Sequence, residues 1–200
     1  MSLKLILGPM YSGKSFELIK TIRELKILDL PYMVVKPKID DRYTKEDFIC
    51  THNMDKERCI CLSDMNDIYK YKLTEYKFII IDEGQFISNL VSVTKNLVDN
   101  YGLNVVIAGL DGNFKREPIG DILQLVPFSE VVIKNNSKCI KCKDRTEAPF
   151  TFKTSLNNDV IDVGSVNKYI PLCRKHYIES TLLKNSLKDK NINININNSK

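Results

Sequence analysis

Gly8-Pro9-Met10-Tyr11-Ser12-Gly13-Lys14-Ser15 spells G-x-x-x-x-G-K-S, and its setting constrains the fold more than any other stretch of the chain. The preceding Leu3-Lys4-Leu5-Ile6-Leu7 reads as a short buried strand. The following residues, from Phe16 through Leu25 and Leu28, carry apolar side chains at helical spacing. Strand, glycine-containing loop and helix in that order form a phosphate-binding loop, whose amides and helix dipole attract anionic oxygens. The motif assigns Gly8 through Ser15 to the phosphates of a nucleoside triphosphate, with Lys14 on the terminal phosphates and Ser15 on Mg²⁺.

The same alternation continues to about residue 130. Tyr32-Met33-Val34-Val35-Lys36 and Val105-Val106-Ile107-Ala108 read as strands, and a helix is expected over Leu90–Tyr101, stopped at Gly102. Phe78-Ile79-Ile80-Ile81 is continuously apolar, as befits a strand covered on both faces of a parallel sheet. Asp82-Glu83 follows it directly, where ligands gather at the carboxyl ends of strands. Asp82 is therefore a candidate Mg²⁺ residue and Glu83 a candidate general base. The pair alone does not separate a base for water, as in an ATPase, from a base for a substrate hydroxyl, as in a kinase.

Six cysteines are present, and Cys139-Ile140-Lys141-Cys142 with Cys173-Arg174-Lys175-His176 makes C-x-x-C … C-x-x-H. Three thiolates and one imidazole suit a closed tetrahedral Zn²⁺ site of structural type, with a long excursion between its two halves. His52, with Cys50, Cys59 and Cys61 nearby, lacks such spacing and is not assigned a metal. The expected organisation is residues 1–130 as an α/β nucleotide-binding domain, 131–182 as a small zinc-binding lobe, and 183–200, rich in Lys and Asn, as a disordered tail. A net charge of +5 with 43% hydrophobic and 28% charged residues is that of an ordinary globular protein with a mild preference for anions. No apolar run reaches the ~18 residues of a membrane span. The first strand begins almost at residue 1 and leaves no room for a signal peptide, so the expected location is the cytoplasm.

Together these segments resemble the type II thymidine kinases, the cellular and poxvirus type, over about residues 3–180. The resemblance rests on the phosphate loop, Asp41-Arg42-Tyr43, Asp82-Glu83-Gly84-Gln85-Phe86, Gly109-Leu110-Asp111-Gly112-Asn113-Phe114, the cysteine pairs and Lys168-Tyr169. It implies a RecA-like, mostly parallel sheet flanked by helices, plus a zinc-ribbon-like lobe whose lasso loop covers the nucleoside. It implies phosphoryl transfer from ATP to the 5′-hydroxyl of thymidine, with Glu83 as general base and Lys14 and Arg42 at the phosphates. Asp82 and Gln85 join the loop residues as the ATP and Mg²⁺ set. Met10, Phe86, Phe114, Ile119, Thr151, Val160, Asp162, Gly164 and Tyr169 fall on nucleoside-contacting positions. A homotetramer and feedback inhibition by thymidine triphosphate are implied as well. The chain departs from the family at Gly164-Ser165 (usually Gly-Gly), at Asp162 (usually aliphatic) and at Ile119 (often Phe), which loosens the expected preference for thymidine and admits deoxyuridine. The competing reading is a zinc-ribbon ATPase acting on nucleic acid. The chain is short for coupling motifs and has no arginine- or aromatic-rich strip for single strands, so neither nucleic acid nor membrane is expected as a partner.

Overall fold

The structure is a computed structural model, and it describes residues 1–38, 48–50, 56–155 and 168–197. Its elements run β1 (Ser2–Leu7), α1 (Lys14–Ile27), β2 (Tyr32–Pro37), β3 (Phe48–Cys50), β4 (Lys56–Arg58), β5 (Ile60–Leu62), β6 (Phe78–Ile81), α2 (Leu90–Asp99), β7 (Asn104–Gly109) and β8 (Val131–Lys134). They continue as β9 (Ser137–Lys138), β10 (Glu147–Ala148), β11 (Phe150–Lys153), β12 (Tyr169–Leu172) and α3 (Arg174–Asn197). Six strands form one sheet in the order β5-β2-β6-β7-β1-β8, and each pairing in it is parallel.

Both faces of this sheet are covered, which is why its strands are apolar at consecutive positions. Strand side chains alternate between the faces, so one run feeds two cores. Ile6, Ile80, Val106 and Ala108 pack with Leu18, Ile19, Ile22 and Leu25 of α1. Leu5, Leu7, Ile79, Ile81, Val105 and Ile107 pack on the other face with Leu90, Val93 and Leu97 of α2. Ile79, Ile80 and Ile81 are all completely buried. The β3–β4 hairpin is tied to the α1 side by Glu57, which accepts from Tyr32 Oη at 2.9 Å and Lys26 Nζ at 2.6 Å.

Two boundaries differ from the sequence reading. Val131–Lys134 pairs with β1, Leu5 opposite Val132, so the large lobe extends past residue 130 to include this edge strand. Its solvent-facing Val131 and Val132 carry no burial signal that would place them in a sheet. At the other end, the backbone of α3 runs from Arg174 through the segment expected as a tail, with side chains described to Ser186. The Asn-Ile alternation there lacks a helical period, and a helix was not legible from it.

Two small hairpins make up the second lobe. In the β11–β12 ladder Thr151 faces Pro171 and Lys153 faces Tyr169, while Phe150 and Phe152 face Leu172 and Ile170. Directly opposed residues share a face. The phenylalanine face packs with Cys139, Ala148, Cys173 and Tyr177. The other face, with Thr151, Lys153 and Tyr169, is turned toward the large lobe and meets it at Met10.

Candidate active site

Gly8 leaves β1 at φ 156°, and a Cβ there would stand 2.5 Å from the Asn135 carbonyl oxygen and 2.8 Å from Ser12 Oγ. Tyr11 (φ 63°) and Gly13 (φ 81°) also take left-handed conformations, which curl the loop before α1 begins at Lys14. Lys14 is buried, and its Nζ donates to the Pro9 carbonyl at 2.8 Å, so the ammonium spans the loop. Ser12 Oγ is buried without a hydrogen-bond partner among the described residues. An orphaned buried hydroxyl in a loop of this motif is what a phosphate oxygen would satisfy. A Gly8→Ala variant is expected to weaken Mg-ATP binding by roughly one to two orders of magnitude, from backbone strain and the Asn135 clash. Nucleotide titration checks this, and an unchanged affinity would contradict the reading of the loop.

The carboxylates stand at the end of β6. Asp82 is buried, accepts from Ser15 Oγ at 3.1 Å through Oδ2, and from the Glu83 amide at 3.0 Å through Oδ1. The phosphate loop and the β6 acids are therefore one site, across the end of β7. Glu83 itself adopts φ 50°, a left-handed conformation that costs a non-glycine residue about 1–2 kcal/mol. Strain of this kind persists where surrounding structure enforces it. Gln85 supplies that enforcement: its Nε2 donates to Glu83 Oε2 at 2.6 Å, and its Oε1 accepts from the Leu110 amide at 3.0 Å. A Cβ on Gly109 would come within 2.5 Å of Gln85 Oε1, so the glycine after β7 leaves room for this bridge. Gln85, expected among the ATP ligands, thus also bridges Glu83 to the end of β7. That role was not legible from Asp82-Glu83 alone.

The small lobe reaches the loop through Thr151, whose Oγ1 accepts from the Met10 amide at 3.0 Å. On the same hairpin face, Lys153 Nζ lies 5.4 Å from the Phe114 ring centre and 5.8 Å from that of Tyr169. Gly120, at φ 58°, packs against the Gln85 backbone, bringing the neighbours Ile119 and Phe86 into one region. Met10, Phe86, Phe114, Ile119 and Tyr169 are all half-buried. Neither core nor free surface, they have the exposure of a pocket wall. Arg42, Val160, Asp162 and Gly164 lie outside the described residues, as does His52.

Cys139, Cys142, Cys173 and His176 converge, with their ligand atoms all within 4.8 Å of one another. The three sulfurs sit 3.3–3.4 Å from His176 Nδ1, and Cys142 Sγ is 3.8 Å from Cys173 Sγ. A tetrahedron with zinc–sulfur bonds of ~2.3 Å and a zinc–nitrogen bond of ~2.0 Å has edges of about 3.8 and 3.5 Å. The donor set fits zinc in number, type and spacing. Burial opposes ionisation of Cys139, but amide hydrogen bonds from Cys173 and Lys141 and the contact with His176 bring it down to about 6. Cys142 goes the other way, to about 11, because burial and the neighbouring thiols outweigh a hydrogen bond from Thr146. A cation would hold all three as thiolates and release their protons. Among the described residues no other group of His, Cys and acids converges in this way.

A protein-family model described as thymidine kinase matches residues 1–177. The thymidine kinases of variola virus (isolate Human/India/Ind3/1967), monkeypox virus and vaccinia virus (strain Western Reserve) are each 35% identical over 178 residues, covering 89% of this chain and 97% of theirs. The chain belongs to the thymidine kinase family. Membership accounts for the pairing of a phosphate loop with a second lobe: a thymidine kinase needs a wall for an acceptor as well as a cradle for a donor. No helix among the described residues is long and apolar enough to cross a membrane.

Proposed function

We propose that this chain transfers the γ-phosphoryl group of ATP to the 5′-hydroxyl of thymidine, giving thymidine monophosphate and ADP. The observation that carries the reading is Glu83, strained and held by Gln85, directly after the Asp82 that accepts from Ser15, with its carbonyl accepting from the amide of half-buried Phe86. Phosphoryl transfer asks chiefly for positioning and charge neutralisation. The loop amides, Ser12 and Lys14 bind the polyphosphate, and Lys14 moves with the charge that develops on the bridging oxygen. Ser15 and Asp82 would hold Mg²⁺, which neutralises the phosphate oxygens. Glu83 takes the proton of the 5′-hydroxyl as that oxygen bonds to the γ-phosphorus and the bond to the ADP oxygen breaks. Arg42 is assigned to the same phosphates, a planar guanidinium suiting charge spread over several oxygens.

For the acceptor, Phe114 stacks on the pyrimidine, Met10, Phe86 and Ile119 pack around it, and Tyr169 closes the sugar side. Val160, Asp162 and Gly164 belong to the lasso that covers the base. Cys139, Cys142, Cys173 and His176 would hold Zn²⁺, which would tie together the two ends of that lasso as a structural ion. Deoxyuridine as a second acceptor, thymidine triphosphate as inhibitor, a homotetramer and a cytoplasmic location complete the proposal. Incubation with Mg-ATP and each nucleoside in turn should give monophosphate from thymidine, less from deoxyuridine and none from purine nucleosides. ATP hydrolysis that responds to DNA, with no nucleoside phosphorylated, would overturn it in favour of a nucleic-acid ATPase.

A further inference from the structure

The nucleoside wall is gripped from behind by α3, from Tyr177, the last residue of the family match, to Lys184 beyond it. Tyr177 Oη donates to the Phe114 carbonyl at 2.6 Å. Seven residues, two helical turns, separate it from Lys184, so both lie on one face of α3. Lys184 Nζ donates to the Lys153 carbonyl at 2.9 Å and stands 5.8 Å from the Phe114 ring centre and 5.6 Å from that of Phe152. One helix face thus holds Phe114 by its backbone and approaches its ring.

The ring has two further cationic neighbours, Lys115, whose Nζ stands 5.9 Å from its centre, and Lys153, which is completely buried. Burying an ammonium is costly unless its surroundings answer the charge. The faces of Phe114 and Tyr169, 5.4 and 5.8 Å away, are within the ~6 Å reach of cation–π attraction. Lys184 fixes the strand that carries this ammonium by capping its carbonyl. The alternation Phe150-Thr151-Phe152-Lys153 puts Lys153 on the face that also meets the phosphate loop at Met10. A ring held in one rotamer loses less freedom when a base stacks on it, and that difference appears as affinity.

We propose that Lys184 and Lys153 are positioning residues for thymidine, fixing the ring of Phe114 in the acceptor pocket. The inference rests on the proposed function, since it takes Phe114 as the base-stacking wall. Lys184 is the residue to test, because it is only half-buried and the α3 backbone does not depend on its side chain. Lys184→Met keeps the aliphatic stem and removes the charge and the donor. It is expected to raise the thymidine Kd, measured by calorimetry without ATP, and the thymidine KM about 3- to 10-fold, with KM for ATP, kcat and zinc content unchanged. Lys184→Arg restores a cation and donor and should return both constants to within about twofold of the wild type. Equal thymidine affinity in wild type and Lys184→Met overturns the inference while leaving the function reading in place. Parallel loss of ATP or zinc binding overturns it too, in favour of a role in holding the lobe together. A wild-type protein that binds no thymidine removes the function reading, and this inference with it.

Discussion

Replacing Glu83 by Gln is expected to lower kcat for thymidine phosphorylation by about 100- to 10,000-fold, with the KM values for ATP and thymidine moving less than about threefold. The amide is nearly isosteric with the carboxylate and can still hydrogen-bond Gln85, so the β6 end and the φ 50° backbone keep their support. What is lost is the ability to take a proton from the 5′-hydroxyl as the phosphoryl group moves. That loss falls on the transition state rather than on either bound substrate, hence on kcat. Asp82 does not compensate, because its two oxygens are engaged with Ser15 and the Glu83 amide. Steady-state kinetics with a radiolabelled acceptor checks the split. Full activity in the variant would remove the base assignment, whereas a large rise in thymidine KM at constant kcat would make Glu83 a binding residue.

The phosphate loop and the acids were legible because the chemistry and the fold use the same local signal. Phe78–Ile81 is an uninterrupted apolar run and Leu3–Leu7 is broken only by Lys4, since both faces of their sheet are covered, and each ends just before the residue where the site begins. The metal set was legible for a similar reason: two-residue spacing is a local geometric demand. Everything set by distant contacts was harder to read. Val131–Lys134 became an edge strand only through pairing with β1, more than a hundred residues away. The bridge that Gln85 makes between Glu83 and the Leu110 amide depends on a residue 25 positions along the chain. Lys153 is a charged residue whose complete burial no pattern announces, since the ring of Phe114 and the reach of Lys184 come from separate parts of the chain.

Loss of zinc is expected to separate the two substrates. Cys142→Ser, or exposure to a strong chelator, should reduce the metal content from about one ion per chain to near zero and abolish measurable thymidine binding, while Mg-ATP binding persists within about threefold. Among the described residues the small lobe's buried apolar core is Cys139, Ala148, Phe152, Leu172, Cys173 and Tyr177, and two of those six belong to the candidate zinc set. A structural zinc contributes on the order of 10–16 kcal/mol, comparable with the whole stability of a typical domain at ~5–15 kcal/mol. A core that small does not replace it. Once the lobe opens, Thr151 leaves the Met10 amide, and Lys153 and Tyr169 leave Phe114, so the acceptor wall goes as a unit. The large lobe keeps two independent cores on the faces of its sheet, along with the Lys14–Pro9 and Ser15–Asp82 contacts. Circular dichroism should retain most of the α/β signal, and nucleotide titration should show the loop still working. If thymidine affinity survives in metal-free protein, the acceptor pocket does not depend on the lobe, and the hairpin face carrying Thr151 and Lys153 is not its wall. If ATP binding is lost together with thymidine, the metal supports the whole chain, and the two lobes are one folding unit.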